Sequence, residues 1–404
     1  MRKTFWFGIF FLGGFFCALG QIDPEKRQLF QLGFNQPLEG RGPISAYGFY
    51  LRNQPEFMRT NITLRLAIAP IYLDSELAFA HALGEQTDFA VGVAGGGFAD
   101  SYSEVRDGRL HNSESFTGHG GEISSSIYHL FNPGSLIPLS GILRGSAHES
   151  VYEKDSGTGQ SFELPPDHAS LIIRTGLRWG GKEPVLSPAL AMELSAWYEG
   201  QFRTDHGDYG TDNDRELNAS SHLFWGRALL IYTLPELKHN IGVSLTTGTS
   251  LQSDRFSAYR LGGTLPLISE FPLSLPGYYF QEISARNFAL LSGQYSLPID
   301  AAKQWLLTAT AAGAAVEYQP GLSQPGNLLS GVGGGFGYKS KSGSWEFILS
   351  YSYGFQAIRP DGRGGQNIGF LFQFDLEARN RSRQPYIDIE GPAKSQGLFH
   401  LFNN

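Results

Sequence analysis

The sequence predicts an all-β protein, an exported transmembrane barrel of about 16 antiparallel strands. Three observations predict it: a signal-like N-terminus, a two-residue hydrophobic period that recurs along the chain, and a glycine-rich composition. There are 51 glycines in 404 residues, well above the roughly 7% of average proteins. After residue 20 no apolar stretch approaches the roughly 18 residues of a membrane-spanning helix.

The N-terminus predicts export. Residues 1–20 combine Arg2 and Lys3 with an apolar core and end in Cys17-Ala18-Leu19-Gly20, the order of a cleaved secretory signal. Cys17 is the only cysteine, so the mature chain has neither a disulfide nor a cysteine-based metal site. Without the signal, 29 basic residues face 38 acidic ones, which argues against nucleic acid as a partner. We expect the outer membrane of a Gram-negative-type bacterium, with its lipid bilayer as the immediate partner.

Strands are predicted wherever apolar residues alternate with polar or small ones. In the segment 61–69, Ile62, Leu64, Leu66 and Ile68 share one face of a strand, and Arg65 lies on the other. The same period recurs in segments 89–94, 173–179, 241–246, 345–354 and 368–376. A soluble sandwich also alternates, but here the second face repeatedly carries Arg, Glu, Ser, Thr and Gly, which is typical of a barrel with a polar lumen.

The spacing of these segments predicts one domain. At about 24 residues for a strand and its connection, the chain after the signal accommodates roughly 16 strands. We assign 21–43 to a short periplasmic N-terminal segment, 44–378 to the barrel, and 379–404 to a C-terminal tail or extra strand.

The C-terminal third resembles a known family in the order of its elements. Gly262 and Gly263 end a strand, a long loop follows with the tip Leu275-Pro276-Gly277-Tyr278, and Phe288 to Pro298 forms the returning strand. Segments 305–316, 329–338, 344–354 and 367–376 then resemble the last four strands of the family. About 120 residues are similar in this way to the bacterial surface antigen superfamily, which includes BamA/TamA-like assembly factors.

The resemblance implies a loop at residues 264–287 that folds into the barrel, and a role in outer-membrane biogenesis by inserting or translocating client proteins. The loop-tip arginine of the family is Pro276 here, and Ala311 stands where its acidic strand partner is expected, so that ion pair is not expected. We expect the strand that contains Ala311 and Gly313 to contact the loop. Strand-like sequence starts near Tyr47, which predicts a branch lacking POTRA domains and a separate periplasmic partner protein.

Two other functions stay open at this stage. A passive or gated pore for small solutes would be lined by polar residues on the second strand face. The candidates for this lumen lining are Arg65, Arg174, Arg178, Glu193 and Glu346. A hydrolase would need a nucleophile and base such as Ser146 and His148, but no hydrolase motif surrounds them. We therefore predict no enzyme, no catalytic residue, no metal and no cofactor.

Overall fold

The computed structural model describes residues 25–40, 42–43, 45–182, 186–265 and 271–378. Within them, sixteen strands of one 17-stranded antiparallel sheet form a wall that closes on itself. In chain order they are β1 (Arg27–Pro37), β2 (Ser45–Gln54), β3 (Ile62–Ala69), β4 (Tyr72–Phe79), β5 (Thr87–Gly96), β6 (Thr117–Leu130), β7 (Leu139–Glu153), β8 (His168–Gly181), β9 (Leu190–Arg203), β10 (Ser220–Thr233), β11 (Asn240–Leu251), β12 (Ile283–Pro298), β13 (Trp305–Tyr318), β14 (Leu328–Lys339), β15 (Trp345–Arg359) and β16 (Gly362–Asp375).

The barrel closes where the first strand meets the last. β1 pairs with β16 from Leu29 opposite Asp375 to Pro37 opposite Asn367, so the sheet has no open edge along this seam. The predicted transmembrane barrel of about 16 strands is confirmed.

The predicted start of the barrel is wrong. Segment 21–43, assigned to the periplasm, contains β1, so the wall begins at Arg27 rather than at residue 44. Gln31, Gly33 and Asn35 lie on the inner face of this strand, opposite the outward Phe34 and its neighbours. These polar and small residues make the segment resemble a polar leader. The predicted signal at 1–20 and the tail at 379–404 lie outside the described residues.

The two faces of the wall differ as a membrane barrel requires. In β16 the outward Ile368 and Phe370 are 37% and 36% exposed, whereas Asn367 on the inner face is buried. In β8, Leu171 and Leu177 point outward and are half exposed. The outer surface is therefore apolar, and polar groups are turned toward the lumen.

The two ends of the barrel carry different connections. The first and last residues of the wall, Arg27 and Asp375, lie at what we call the short-turn end. The same end carries the connections 55–61, 80–86, 131–138, 234–239, 299–304 and 340–344, and the described residues 182 and 186–189 of one further connection. The opposite, long-loop end carries the connections 97–116, 154–167, 204–219 and 252–282. In outer-membrane barrels the short turns face the periplasm. Among the described residues no helix has the length and apolar character to cross a membrane.

Candidate functional site: a loop folded into the lumen

The described parts of the longest connection, 252–265 and 271–282, turn into the barrel instead of leaving it. A short strand, Tyr259–Leu261, first pairs with the start of β12. Gly262 and Gly263 follow with φ of 141° and 89°, values that glycine adopts readily and other residues rarely do. The descending and returning arms then meet at an isolated bridge between Gly263 and Leu275. Leu275 and Tyr278 are fully buried inside the barrel.

The loop tip fits against glycines of β14 and β15. A Cβ atom at Gly277 would lie 1.8 Å from the backbone nitrogen of Gly354, and one at Gly331 would lie 2.0 Å from the carbonyl oxygen of Pro276. Such approaches are possible only without side chains. The side chain of Asn367 on β16 also donates a 2.5 Å hydrogen bond to the carbonyl oxygen of Tyr278. Three consecutive strands therefore hold the tip.

An ion pair joins the base of the loop to the wall. Arg359, at the end of β15, contacts Glu282 at 2.9 Å and also donates to the carbonyl oxygen of Gly277 at 3.0 Å. Both charged side chains are at most 2% exposed. The guanidinium lies 3.7 Å from the centre of the Tyr279 ring, and the amide of Tyr279 donates to Glu282 at 2.7 Å. Burial raises the pKa of Glu282 above its ordinary value, although the Arg359 charge opposes that shift.

The ion pair of Glu282 with Arg359 was not predicted from the sequence. The sequence carries neither end of the family's ion pair at Pro276 and Ala311. The structure instead has the acidic residue on the loop and the arginine on a strand. We call Arg359, Glu282 and the carbonyl group of Gly277 the loop lock.

The predicted loop-contacting residues of β13 are wrong by one position. Ala312 and Ala314 lie in the buried cluster with Leu275 and Tyr278, whereas Ala311 and its neighbour Gly313 are on the opposite face of the strand. Because side chains alternate between faces, an offset of one residue exchanges the lumen face for the lipid face.

Phe271, in the described part of the loop, reaches the wall opposite β14 to β16. Phe271 contacts Trp197 of β9 and Trp225 of β10 edge-on, with ring centres 5.4 and 5.8 Å away. The two indoles are stacked at 6.2 Å. Arg227 lies 4.5 Å from the centre of the Phe271 ring, and Arg178 lies 4.9 Å from that of Trp197. We call these five residues the aromatic cage.

Of the five residues predicted to line the lumen, three meet at this cage. Glu193 accepts hydrogen bonds from Arg227 at 2.6 and 3.1 Å, and Arg178 lies 3.8 Å from Glu193. Arg174 contacts Glu199 at 2.7 Å, and its guanidinium lies 5.7 Å from the centre of the Trp225 ring. The other two lie apart: Arg65 contacts Asp74 at 3.4 Å, and Glu346 accepts a hydrogen bond at 2.5 Å from Ser187.

The wall from β3 to β7 carries polar groups that contact one another or, at His148, a residue of loop 97–116. Glu76 accepts hydrogen bonds from Tyr128 at 3.0 and 3.1 Å, and Arg144 contacts Glu122 at 2.6 Å. His148, one half of the hydrolase candidate, contacts Asp100 at 2.8 Å. Among the described contacts of Ser146 there is no hydrogen bond to His148, so the two do not form a nucleophile–base pair in this structure.

The long-loop end is capped by packed loops. Tyr102, Phe116, Tyr152, Phe162, Tyr209 and Leu217 form a buried cluster there. Beside it the fully buried Glu104 forms ion pairs with Arg255 and Arg215 and accepts a 2.6 Å hydrogen bond from Tyr102. Burial alone would raise the pKa of Glu104, but these partners hold it below its ordinary value.

Comparison with known proteins supports the same architecture. No protein-family model matches the sequence, and no curated protein matches it. Among solved structures, CdiB from Acinetobacter baumannii aligns over 87% of this chain and 60% of its own, with a TM-score of 0.56 and 10% identity. This chain has a BamA/CdiB-type barrel fold. BamA from Haemophilus ducreyi, in a structure lacking POTRA domains 1–3, aligns with 87% of this chain and 70% of its own.

The alignment with BamA has a TM-score of 0.54 and 10% identity. CdiB from Escherichia coli gives 0.56 and 12%, over 87% of this chain and 63% of CdiB. The chain thus spans about 60% of the length of the CdiB proteins. At these identities the likeness concerns the fold, and at that level the resemblance seen in the sequence is confirmed.

Proposed function

We propose that this outer-membrane-type barrel acts in outer-membrane biogenesis, inserting or translocating client polypeptides together with a separate periplasmic protein. The observation that carries the proposal is the anchored loop. The loop lock, the glycines of two strands and the aromatic cage hold a segment across the lumen, where an unobstructed solute pore would have open space. A barrel that handles polypeptides can use such a segment as a movable internal wall.

The work of such a protein is conformational and not chemical. Its lumen holds many charged side chains, such as Glu193 and Arg227. Each is paired with a charge of opposite sign, which makes it less suited to act on a substrate. We propose that the loop and the strand junctions change position as a client passes, and that the loop lock and the aromatic cage define the resting state.

Depletion in cells tests this function. The expected result is a fall in the folded, heat-modifiable forms of other outer-membrane barrels, with their unfolded forms accumulating in the periplasm. Gly277→Ala, which forces a Cβ against Gly354, should fail to restore assembly. The matched control Gly343→Ala should restore it, because Gly343 also has a positive φ but nothing within 4 Å of its Cβ position. Normal assembly after depletion would contradict the proposal.

One observation favours the second candidate, a small-solute pore. The wall from β3 to β7 carries the ion pair of Arg144 with Glu122 and the contact of Tyr128 with Glu76, and neither involves a residue of loop 252–282. Ion conductance by the purified protein alone, strongly changed by charge reversal at Arg174 or Glu346, would favour the pore. Absence of steady conductance would favour biogenesis.

A further inference from the structure

The two tryptophans of the aromatic cage form a directly opposed pair on neighbouring strands. Trp197 of β9 lies opposite Trp225 of β10 in the ladder, and the planes of their rings differ by only 10°. Trp197 is 5% exposed. Within the described parts of the chain neither indole Nε1 has a hydrogen-bond partner, although both nitrogen atoms are buried. Two N–H donors are therefore shielded from water without an acceptor, which costs free energy.

Phe271 is the part of the loop that contacts this pair. Its ring meets the ring of Trp197 at 66° and that of Trp225 at 75°, close to the edge-to-face arrangement that aromatic rings prefer. A phenyl ring carries no acceptor oxygen, so it gives the indoles a packing partner but leaves their N–H groups unsatisfied. The loop thus supplies only part of what the two tryptophans can bind.

Two guanidinium groups lie near the same ring. The guanidinium carbon of Arg227 is 4.5 Å from the centre of the Phe271 ring, and that of Arg178 is 5.9 Å from it. Glu193 accepts two hydrogen bonds from Arg227 and so restricts its orientation. Guanidinium groups both stack on aromatic faces and donate charge-assisted hydrogen bonds to carboxylates. An anionic oxygen attached to a ring at this position would lie close to both arginines.

The rings, the indole donors and the arginines together select a class of ligand. An aromatic ring is needed to replace the ring contacts of Phe271, and an acceptor oxygen is needed for the indole N–H groups. A carboxylate offers two acceptor oxygens and a negative charge for Arg178 and Arg227. An aliphatic acid has the charge but no ring, and a plain arene has the ring but no acceptor.

We propose that Trp197 and Trp225 form a binding site for an aromatic carboxylate, which displaces Phe271 from the aromatic cage. The ring of Phe271 then leaves β9 and β10, while the loop lock stays closed because it shares no residue with the cage. This inference goes beyond the proposed function, since the ligand is a small molecule and its binding requires no client polypeptide. It makes the position of the inner part of the loop depend on a solute that reaches the lumen.

Fluorine NMR with 4-fluorobenzoate tests the site in the full-length protein in phosphatidylcholine nanodiscs. We expect saturable binding that is about tenfold tighter in Phe271→Ala than in the wild type. The ligand then no longer has to break ring contacts, each of which is worth roughly twofold to tenfold in affinity. The matched control is Leu273→Ala, which truncates a partly buried residue of the same arm that packs on the loop-tip cluster instead of the cage. Its affinity should equal that of the wild type.

Two comparisons separate this site from general adsorption. Trp225→Phe keeps an aromatic ring and removes one N–H donor, so it should weaken binding by about tenfold, both alone and combined with Phe271→Ala. Unlabelled benzoate should compete with 4-fluorobenzoate. Cyclohexanecarboxylate and toluene, each of which lacks one of the two recognised features, should not. If Phe271→Ala does not reach its folded, heat-modifiable form, Trp225→Phe against the wild type carries the same test.

Maleimide labelling of Leu273→Cys measures the displacement of the loop. Saturating benzoate should accelerate the labelling, because Phe271, two residues away, leaves the wall. Cyclohexanecarboxylate at the same concentration should not. Unchanged labelling in saturating benzoate would overturn the displacement. The binding site itself would be overturned by absence of saturable binding, by equal affinity in Phe271→Ala and the wild type, by full affinity in Trp225→Phe, or by equal competition from cyclohexanecarboxylate.

Discussion

The loop lock gives the sharpest energetic prediction, for Arg359→Ala. The substitution leaves the fully buried Glu282 carboxylate without its cation and removes a donor to the carbonyl oxygen of Gly277. Breaking a buried ion pair on one side costs about 3–5 kcal/mol. The barrel wall keeps its ladders, so we expect this cost to appear as loop opening and not as unfolding. At about 1.4 kcal/mol for each tenfold change, opening should increase by roughly two to three and a half powers of ten.

The assay is maleimide labelling of Thr264→Cys, a position 5% exposed and hydrogen-bonded to Ser352 inside the barrel. The labelling rate should rise in proportion to opening. Replacing both partners, Glu282→Leu with Arg359→Met, should return it close to the starting rate, because no charge is then left buried. Arg286→Ala, which breaks an exposed pair with Glu317, should leave labelling unchanged. Wild-type labelling in Arg359→Ala would refute the lock.

The pH dependence of the same rate has a definite sign. Burial raises the pKa of Glu282 in the closed loop. A raised pKa means that the closed state is favoured while the group is protonated and loses that advantage as pH rises through the closed-state value. After normalising to Glu282→Gln, we expect labelling to become faster as pH rises above the ordinary glutamate range. A normalised rate that falls with pH would contradict the burial of this carboxyl.

Three further predictions concern other contacts of the site. Phe271→Ala removes ring contacts with Trp197 and Trp225, each worth about 0.5–1.5 kcal/mol beyond burial, and should shift tryptophan emission to longer wavelength; unchanged emission would count against the aromatic cage. Gly277→Ala should open the loop to Thr264→Cys labelling far more than Gly343→Ala, since only Gly277 meets backbone. The lowered pKa of Glu104 predicts that the loop cap loses stability as pH falls through that value. Protease cleavage of loop 97–116 should therefore increase in acid, and Glu104→Gln should remove the dependence.

Much of the fold could be predicted from the sequence, because the strands of a membrane barrel alternate outward apolar and inward residues with a period of two. The outward set Ile368, Phe370, Phe372 and Phe374 alternates with the inward Asn367, Gly369, Leu371 and Gln373, and lipid on one side enforces the apolar outer set. β1 was missed because its inner residues, such as Gln31 and Asn35, sit in a segment that reads as a polar leader.

The site was harder to predict, since it depends on contacts between residues far apart in sequence. Arg359 lies in a stretch that reads as a polar loop but forms the end of β15 beyond an irregularity in its pairing with β16. Its partner Glu282 is distant in sequence, and no spacing rule links them. In the sequence Phe271 is one apolar residue of a long loop, and its contacts with Trp197 and Trp225 arise only because the loop turns into the barrel. The prediction that Ala311 contacts the loop is wrong by one residue, and in a strand a shift of one residue moves a side chain to the opposite face.

The most direct test of the central claim is insertion of a client by the purified protein. A urea-unfolded outer-membrane barrel is diluted into phosphatidylcholine liposomes with or without the protein, and its heat-resistant folded form is followed with time. Biogenesis predicts faster folding with the wild-type protein, and a loss of that gain in Gly277→Ala but not in Gly343→Ala. Folding at the rate of empty liposomes, in vesicles that leak small ions through the same protein, would contradict the account and identify the barrel as a pore.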